Sequence, residues 1–170
     1  MSTITQNPIL EEFKARILSA GTNGQKLRIK GGNTKSWYGD PSLGEELITT
    51  NYSGIVDYQP SELVLTAKAG TPMKEIEQAL ALASQWFPFE PPSFGEQATI
   101  GGVVCAGLSG PGRGQYGALR DFVLGVKIMD GRGDILTFGG QVMKNVAGYD
   151  VSRLMPGSLG TLGLLLEVSI

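Results

Sequence analysis

The sequence predicts one globular domain that mixes α-helices with β-strands, and three observations lead there. Residues 62–69 alternate as a strand does and feed a helical pattern through Gly70-Thr71-Pro72. Asn7-Pro8 opens an amphipathic helix near the start of the chain. Two apolar stretches around Gly131-Arg132-Gly133 read as a hairpin.

Taken in order, Asn7 is a good N-cap, Pro8 fits the first helical position, and Glu11 and Glu12 sit near the positive end of the dipole. Leu10, Phe13 and Ile17 share one face, and Gly21 is the expected stop. Leu27 to Lys30 read as a short strand, followed by a loop from Gly31 to Gly39. In the stretch from Glu62 to Ala69, Leu63, Leu65 and Ala67 fall on one face and Val64, Thr66 and Lys68 on the other. The helix opened by Thr71-Pro72 presents Met73, Ile76, Leu80 and Ala83. Prolines and glycines then cluster from Phe87 to Gly117, a connection too long to be left unordered. Strands are expected at 122–130 and 134–138, a short helix at 150–154, and a buried last strand at 163–170. The chain stops inside that strand without a polar tail, so a fragment of a longer protein is expected.

Composition excludes several functions. The chain has 170 residues, enough for one core without disulfides, and is 41% hydrophobic and 18% charged. A net charge of −2 gives no electrostatic case for nucleic acid. No apolar run approaches the length of a membrane span and no signal peptide is recognisable, so a cytoplasmic location is the expectation. The absence of histidine removes serine–histidine catalysis, histidine metal ligands and a histidyl–flavin bond. The single cysteine, Cys105, excludes an intrachain disulfide and reads as an inert thiol among small residues. Chemistry must then rest on backbone donors, a bound cofactor or both.

Four segments could carry it. Lys30-Gly31-Gly32-Asn33-Thr34-Lys35-Ser36 can turn successive N–H groups toward one phosphate, because Gly and Asn accept left-handed backbone. A plain surface turn is the competing reading, and neither a Walker nor a Rossmann pattern is present. In the segment from Thr99 to Gly110, Thr99 can cap a short helix whose N–H groups suit an anion or a flavin carbonyl; close helix–sheet packing competes. Lys144-Asn145-Val146-Ala147-Gly148-Tyr149-Asp150 gathers a cation, an amide, a phenol and a carboxylate, or is a solvated loop with Lys144 paired to Asp150. Gly157-Ser158-Leu159-Gly160-Thr161-Leu162-Gly163 suggests tight turns entering the last strand, with a structural role at least as well supported as ligand contact.

The ordered set of these motifs resembles one family along nearly the whole chain. It includes Gly31-Gly32-Asn33-Thr34, the stretches 57–66 and 69–72, Glu90-Pro91-Pro92, Ile100-Gly101-Gly102, 109–113, Tyr116-Gly117 and 120–125. This order is similar to the FAD-binding domain of the vanillyl-alcohol-oxidase and p-cresol-methylhydroxylase type. Within that group, the run from Phe138 to Met155 resembles the FAD-binding E subunit of glycolate oxidase (glycolate dehydrogenase). The resemblance implies an α+β fold of two subdomains with noncovalent FAD between them. The expected layout is a flexible N-terminus at 1–6, a first subdomain at about 7–60 and a second at 61–170. Family members are about twice as long, and their second half, a C-terminal cap over the flavin, is absent from these residues.

Carried over by motif, the resemblance implies that Gly31, Gly32, Asn33, Thr34 and Lys35 wrap the pyrophosphate. Pro92, Thr99, Gly101, Gly102, Gly107, Ser109 and Gly110 would lie along the flavin end and ribityl chain. Tyr116 and Gly117 match a further cofactor-facing turn, and the last strand would contribute Glu167 and Val168. Asn33 replaces the commoner third glycine of the loop. The implied reaction is oxidation of glycolate to glyoxylate, with electrons passed to a second flavoprotein subunit and an iron–sulfur subunit. An FAD-linked lactate or other 2-hydroxy-acid dehydrogenase and a non-catalytic cofactor-holding or assembly subunit remain alternatives. The resemblance implies a cytoplasmic protein, peripheral at the inner membrane through its complex and not inserted in it. No catalytic residue is assigned.

Overall fold

The computed structural model describes residues 7–40, 43–140 and 149–170. Helix α1 (Pro8–Asn23) starts as its sequence dictates: the Asn7 carboxamide oxygen accepts from the Ile9 N–H at 3.0 Å, and Pro8 needs no partner there. It runs through Gly21 and stops at Gly24. Gly24 takes the left-handed conformation (φ 63°), and the N–H groups of Gly24 and Gln25 close back on Gly21 and Ala20. Gly21 lacks that following geometry and is carried inside the helix.

Strands β1 (Leu27–Lys30) and β2 (Glu45–Ile48) pair in parallel, Lys30 opposite Ile48. The other strands are β3 (Ile55–Gln59), β4 (Val64–Lys68), β5 (Gly125–Met129), β6 (Ile135–Gly139) and β7 (Leu164–Ser169). They form a second, wholly antiparallel sheet in the order β3-β4-β7-β5-β6. The fold is therefore α+β, with segregated parallel and antiparallel parts. Because β3 pairs with β4, the larger sheet begins ahead of the boundary near residue 60.

Several boundaries differ from expectation for local reasons. Glu62 and Leu63 belong to the β3–β4 turn, donating to Gln59 and Pro60, and Leu63 is exposed. The alternation across β4 does not mark a wet face, since Val64, Leu65, Thr66 and Ala67 are all buried between neighbouring strands and layers. Two short helices, α4 (Arg113–Tyr116) and α5 (Leu119–Phe122), precede β5, and α5 replaces the start of the 122–130 strand; the Ser109 hydroxyl accepts from the Leu119 N–H, and the helix's own Asp121 carboxylate accepts from the Ala118 N–H. The hairpin turn after β5 forms around Asp130, whose carboxylate accepts from the N–H groups of Arg132 and Asp134. A 3-10 turn occupies Ser152–Leu154.

The larger sheet is the middle layer. On one side α2 (Met73–Leu82) and α3 (Ile100–Ala106) bury Met73, Ile76, Leu80, Ile100, Val103 and Val104 against Leu65, Ala67, Val126, Leu165 and Val168. On the other side Phe13 of α1, Leu47 of β2 and Tyr52 pack on Met129, Leu164 and Leu166. Strand β7, the last in the chain, is thus covered on both faces. This places the β1–β2 unit against the sheet, with the loop after β1 beside α3.

Candidate cofactor site

The loop after β1 combines an unusual backbone with unused donors. Gly31 fits where a Cβ would stand 2.5 Å from the Thr99 hydroxyl oxygen, and a Cβ on Gly32 would overlap the Gln97 carbonyl. Asn33 follows at φ 58°, the left-handed region that Asn reaches at modest cost. Among the described residues, the N–H groups from Gly31 to Lys35 donate to no protein acceptor. A run of free amides on a turn containing a left-handed residue is the kind of backbone that can form an anion-binding concavity.

Two hollows flank this loop and share Lys30, Gly31, Gly32, Asn33 and Thr99 as walls. One, of about 180 Å³, is partly apolar, with Ile29, Tyr38, Ala106, Cys105 and Leu159. The other, of about 570 Å³, is lined by Thr50, Ser53, Glu96 and Gln97 beside Gly70 and Pro72. The arrangement is a groove with the free amides where its two hollows meet.

The second Gly-rich segment behaves differently from the anion reading of its helix. Thr99 does cap α3, accepting from the Gly102 N–H at 3.3 Å. The Ile100 and Gly101 N–H groups donate to Thr71 and Ala69 at 2.9 and 2.8 Å. The first amides of α3 are therefore spent inside the protein, and its start offers no anion cradle. Gly101 is needed for packing: a Cβ there would lie 2.8 Å from the Ala69 carbonyl oxygen.

Of the residues expected to touch a cofactor, the structure brings Gly31, Gly32, Asn33, Thr34, Lys35, Thr99 and Gly102 to the groove. The others have different surroundings. Gly107 ends α3 at φ 66°, against the Gly157 N–H. Ser109 caps α5, and Gly110 lies against the Glu90 carbonyl. Pro92 is half-buried, Tyr116 is exposed, and Gly117 abuts Asp121. Val168 is only 1% exposed within the core, and Glu167 bonds to Tyr52 and Lys127 rather than facing the groove. Sequence reading missed Tyr38, Thr50, Ser53 and Gln97, which carry no motif of their own and reach the groove only through folding. The segment 144–148 lies outside the described residues; Asp150, expected beside Lys144, pairs with Arg153 at 3.0 Å. The 157–160 turns close the end of α3, where the Gly157 and Leu159 N–H groups donate to Val104 and Cys105.

Charge at the loop is sparse. Lys30 donates to both carboxylate oxygens of Glu46, at 3.0 and 3.1 Å, so its charge is already matched. Lys35 lines the groove, and burial lowers its pKa below the ordinary lysine value. Burial pushes the Cys105 thiol up to about 11, against hydrogen bonds to Ser158 and Gly160 that act the other way. The thiol therefore stays protonated at neutral pH and is a poor nucleophile. Labelling of the folded chain by a disulfide reagent at pH 8 is expected to be about 100-fold slower than after denaturation, because a thiol pushed up to about 11 holds far less thiolate than an ordinary one; equal rates would refute the raised pKa.

Free amides, a left-handed Asn and a two-ended groove define a domain suited to an extended, phosphate-bearing cofactor. The chain belongs to the FAD binding domain family, which matches residues 10–139. It is 55% identical to glycolate oxidase subunit GlcE of Escherichia coli over 85% of its own length and 41% of that protein's. It is 32% identical to glycolate oxidase subunit GlcD of Bacillus subtilis over 75% of its length and 27% of that protein's. It is 28% identical to D-2-hydroxyglutarate dehydrogenase of Xanthomonas citri over 98% of its length and 37% of that protein's. The chain thus spans well under half of the relatives it matches. No helix among the described residues is long and apolar enough to cross a membrane.

Proposed function

We propose that this chain is the cofactor-holding part of the FAD-binding subunit of a glycolate oxidase (glycolate dehydrogenase) complex that converts glycolate to glyoxylate. The observation that carries this reading is the 55% identity to GlcE over most of the chain. FAD bound noncovalently would supply the redox chemistry, as hydride acceptor and electron carrier. The protein's own part is to hold and orient it. The amides of Gly31, Gly32, Asn33 and Thr34 bind the diphosphate, and Lys35 adds positive charge. Thr99 and Gly102 wall the groove; Gly101, Gly107, Ser109, Gly110 and Val168 support it through packing, and Pro92, Tyr116 and Gly117 are assigned to the cofactor by the family resemblance alone. Partners are a second flavoprotein subunit and an iron–sulfur subunit, with a small 2-hydroxy acid as substrate. The location is cytoplasmic, peripheral at the inner membrane through the complex.

A second reading is favoured by the D-2-hydroxyglutarate and D-lactate dehydrogenases among the relatives: the substrate is another 2-hydroxy acid. A third has the subunit hold its flavin without turnover of its own, relaying electrons or aiding assembly. Purified chain is expected to show flavin absorption bands near one equivalent, released by acid. A colourless protein that also fails to take up added FAD sinks the binding claim. Assays of the full-length complex with glycolate, D-lactate and D-2-hydroxyglutarate separate the substrate readings. Reduction of the flavin in the isolated full-length subunit by glycolate excludes the turnover-free one.

A further inference from the structure

The segment 93–97 runs beside the phosphate-facing loop and meets it at successive points. The Gln97 carbonyl fills the space over Gly32, and the Thr34 methyl faces Gly95, where a Cβ would stand 3.3 Å away. Next, the Lys35 ammonium donates to the Ser93 carbonyl at 3.3 Å and lies 5.6 Å from the centre of the Phe94 ring. That ring is met edge-on by Trp37, with centroids 5.1 Å apart and planes at 86°.

Burial does not account for this cluster, because Phe94 is 51% and Trp37 61% exposed. Phe94 also holds a left-handed backbone (φ 52°), which a bulky residue adopts only under constraint. Two large apolar side chains are thus kept at the surface, one of them in a costly conformation, and the Phe94 ring lies against a lysine on the wall of the groove. Lys30 is taken by Glu46, whereas Lys35 has no ion-pair partner among the described residues. A partly desolvated ammonium held by a ring face and one carbonyl is oriented but not neutralised, which suits it to an incoming anion.

We propose that Phe94, backed edge-on by Trp37, is a positioning residue that holds the Lys35 ammonium over the groove to meet the cofactor's diphosphate. This rests on the FAD-binding reading. It assigns a role to an aromatic pair outside the glycine motifs, acting through Lys35 rather than by touching the cofactor.

The test is FAD titration of the full chain, followed by flavin fluorescence at several salt concentrations. The proteins are wild type, Phe94→Leu, Phe94→Tyr, Lys35→Met and the Phe94→Leu/Lys35→Met double variant, with thermal unfolding of each as the folding check. Phe94→Leu should weaken binding about 5-fold and flatten its salt dependence, while Phe94→Tyr, which keeps the ring face, should stay near wild type. In the Lys35→Met background Phe94→Leu should have little further effect, since the two act as one unit. Equal losses in both backgrounds, or an unchanged salt dependence in Phe94→Leu, overturn the proposal and leave a purely structural role. A wild-type chain that binds no FAD overturns the FAD reading itself, and this proposal with it.

Discussion

Gly32→Ala is expected to reduce FAD affinity by at least about 100-fold, a loss of about 2.7 kcal/mol. The reason is backbone geometry rather than lost contact. A Cβ on Gly32 would overlap the Gln97 carbonyl, an atom of the main chain that no rotamer change can move. The loop must then retreat from segment 93–97, and the free amides of Gly31 to Lys35 move with it. A β-branched residue is not required for the effect; a single methyl group suffices. Gly21→Ala is the matched control. Gly21 lies inside α1 with nothing within 4 Å of an added Cβ. There the substitution is expected to stabilise the chain by about 0.5–1 kcal/mol with FAD affinity unchanged. The two variants, compared by flavin titration and urea unfolding, separate a glycine needed for approach from one tolerated in a helix. Wild-type affinity in Gly32→Ala would show that the loop does not hold the diphosphate.

Much of this was legible in sequence because local rules decided it. Asn7-Pro8 and Thr99 carry their structure in their own side chains, and the Gly131-Arg132-Gly133 turn is pinned by the Asp130 carboxylate just before it. Asn33 in the loop after β1 was readable for the same reason: the position needs a left-handed residue, and Asn supplies it. What was not legible depended on partners distant in the chain. Strand β2 is four residues, Glu-Glu-Leu-Ile, with only Leu47 buried, so neither alternation nor an apolar run announces it. Strand β4 alternates in sequence yet is buried on both faces, because β3 and β7 flank it and layers cover it. The same limit applied at the site. Thr50, Ser53 and Gln97 wall the groove only because the 49–54 turn and segment 93–97 fold against the loop. Conversely the amides at the start of α3 looked available, and only the structure shows them taken by Ala69 and Thr71.

The turn that supplies Thr50 and Ser53 is fastened from below, and Glu167→Ala is expected to cost about 2 kcal/mol of stability. The Glu167 carboxylate bridges two elements: one oxygen accepts from the Tyr52 hydroxyl at 2.8 Å, the other from the Lys127 ammonium at 2.8 Å. The Glu167 side chain is 13% exposed and that of Lys127 35%. The pair therefore falls between a buried bridge, worth about 3–5 kcal/mol when broken, and a surface one worth under about 1 kcal/mol. Removing the carboxylate leaves Lys127 able to turn toward water, but the Tyr52 hydroxyl stays where it is. Tyr52 cannot follow, since its ring is packed edge-on against Phe13 and its backbone carbonyl accepts from the Gly70 N–H. Tyr52→Phe isolates the hydroxyl and should cost about 1 kcal/mol. Burial, with the Glu167 hydrogen bond and charge, raises the phenol's pKa above its ordinary value of 10.0. A raised folded-state pKa favours the protonated phenol, so this contribution is fully present below pH 10 and fades at higher pH. In Tyr52→Phe the decline of stability above pH 10 should be shallower than in wild type. Urea unfolding at pH 8 and pH 10.5 checks both points. Glu167→Ala within about 0.5 kcal/mol of wild type, the range of an ordinary surface change, would remove the bridge from the account of how this turn is held.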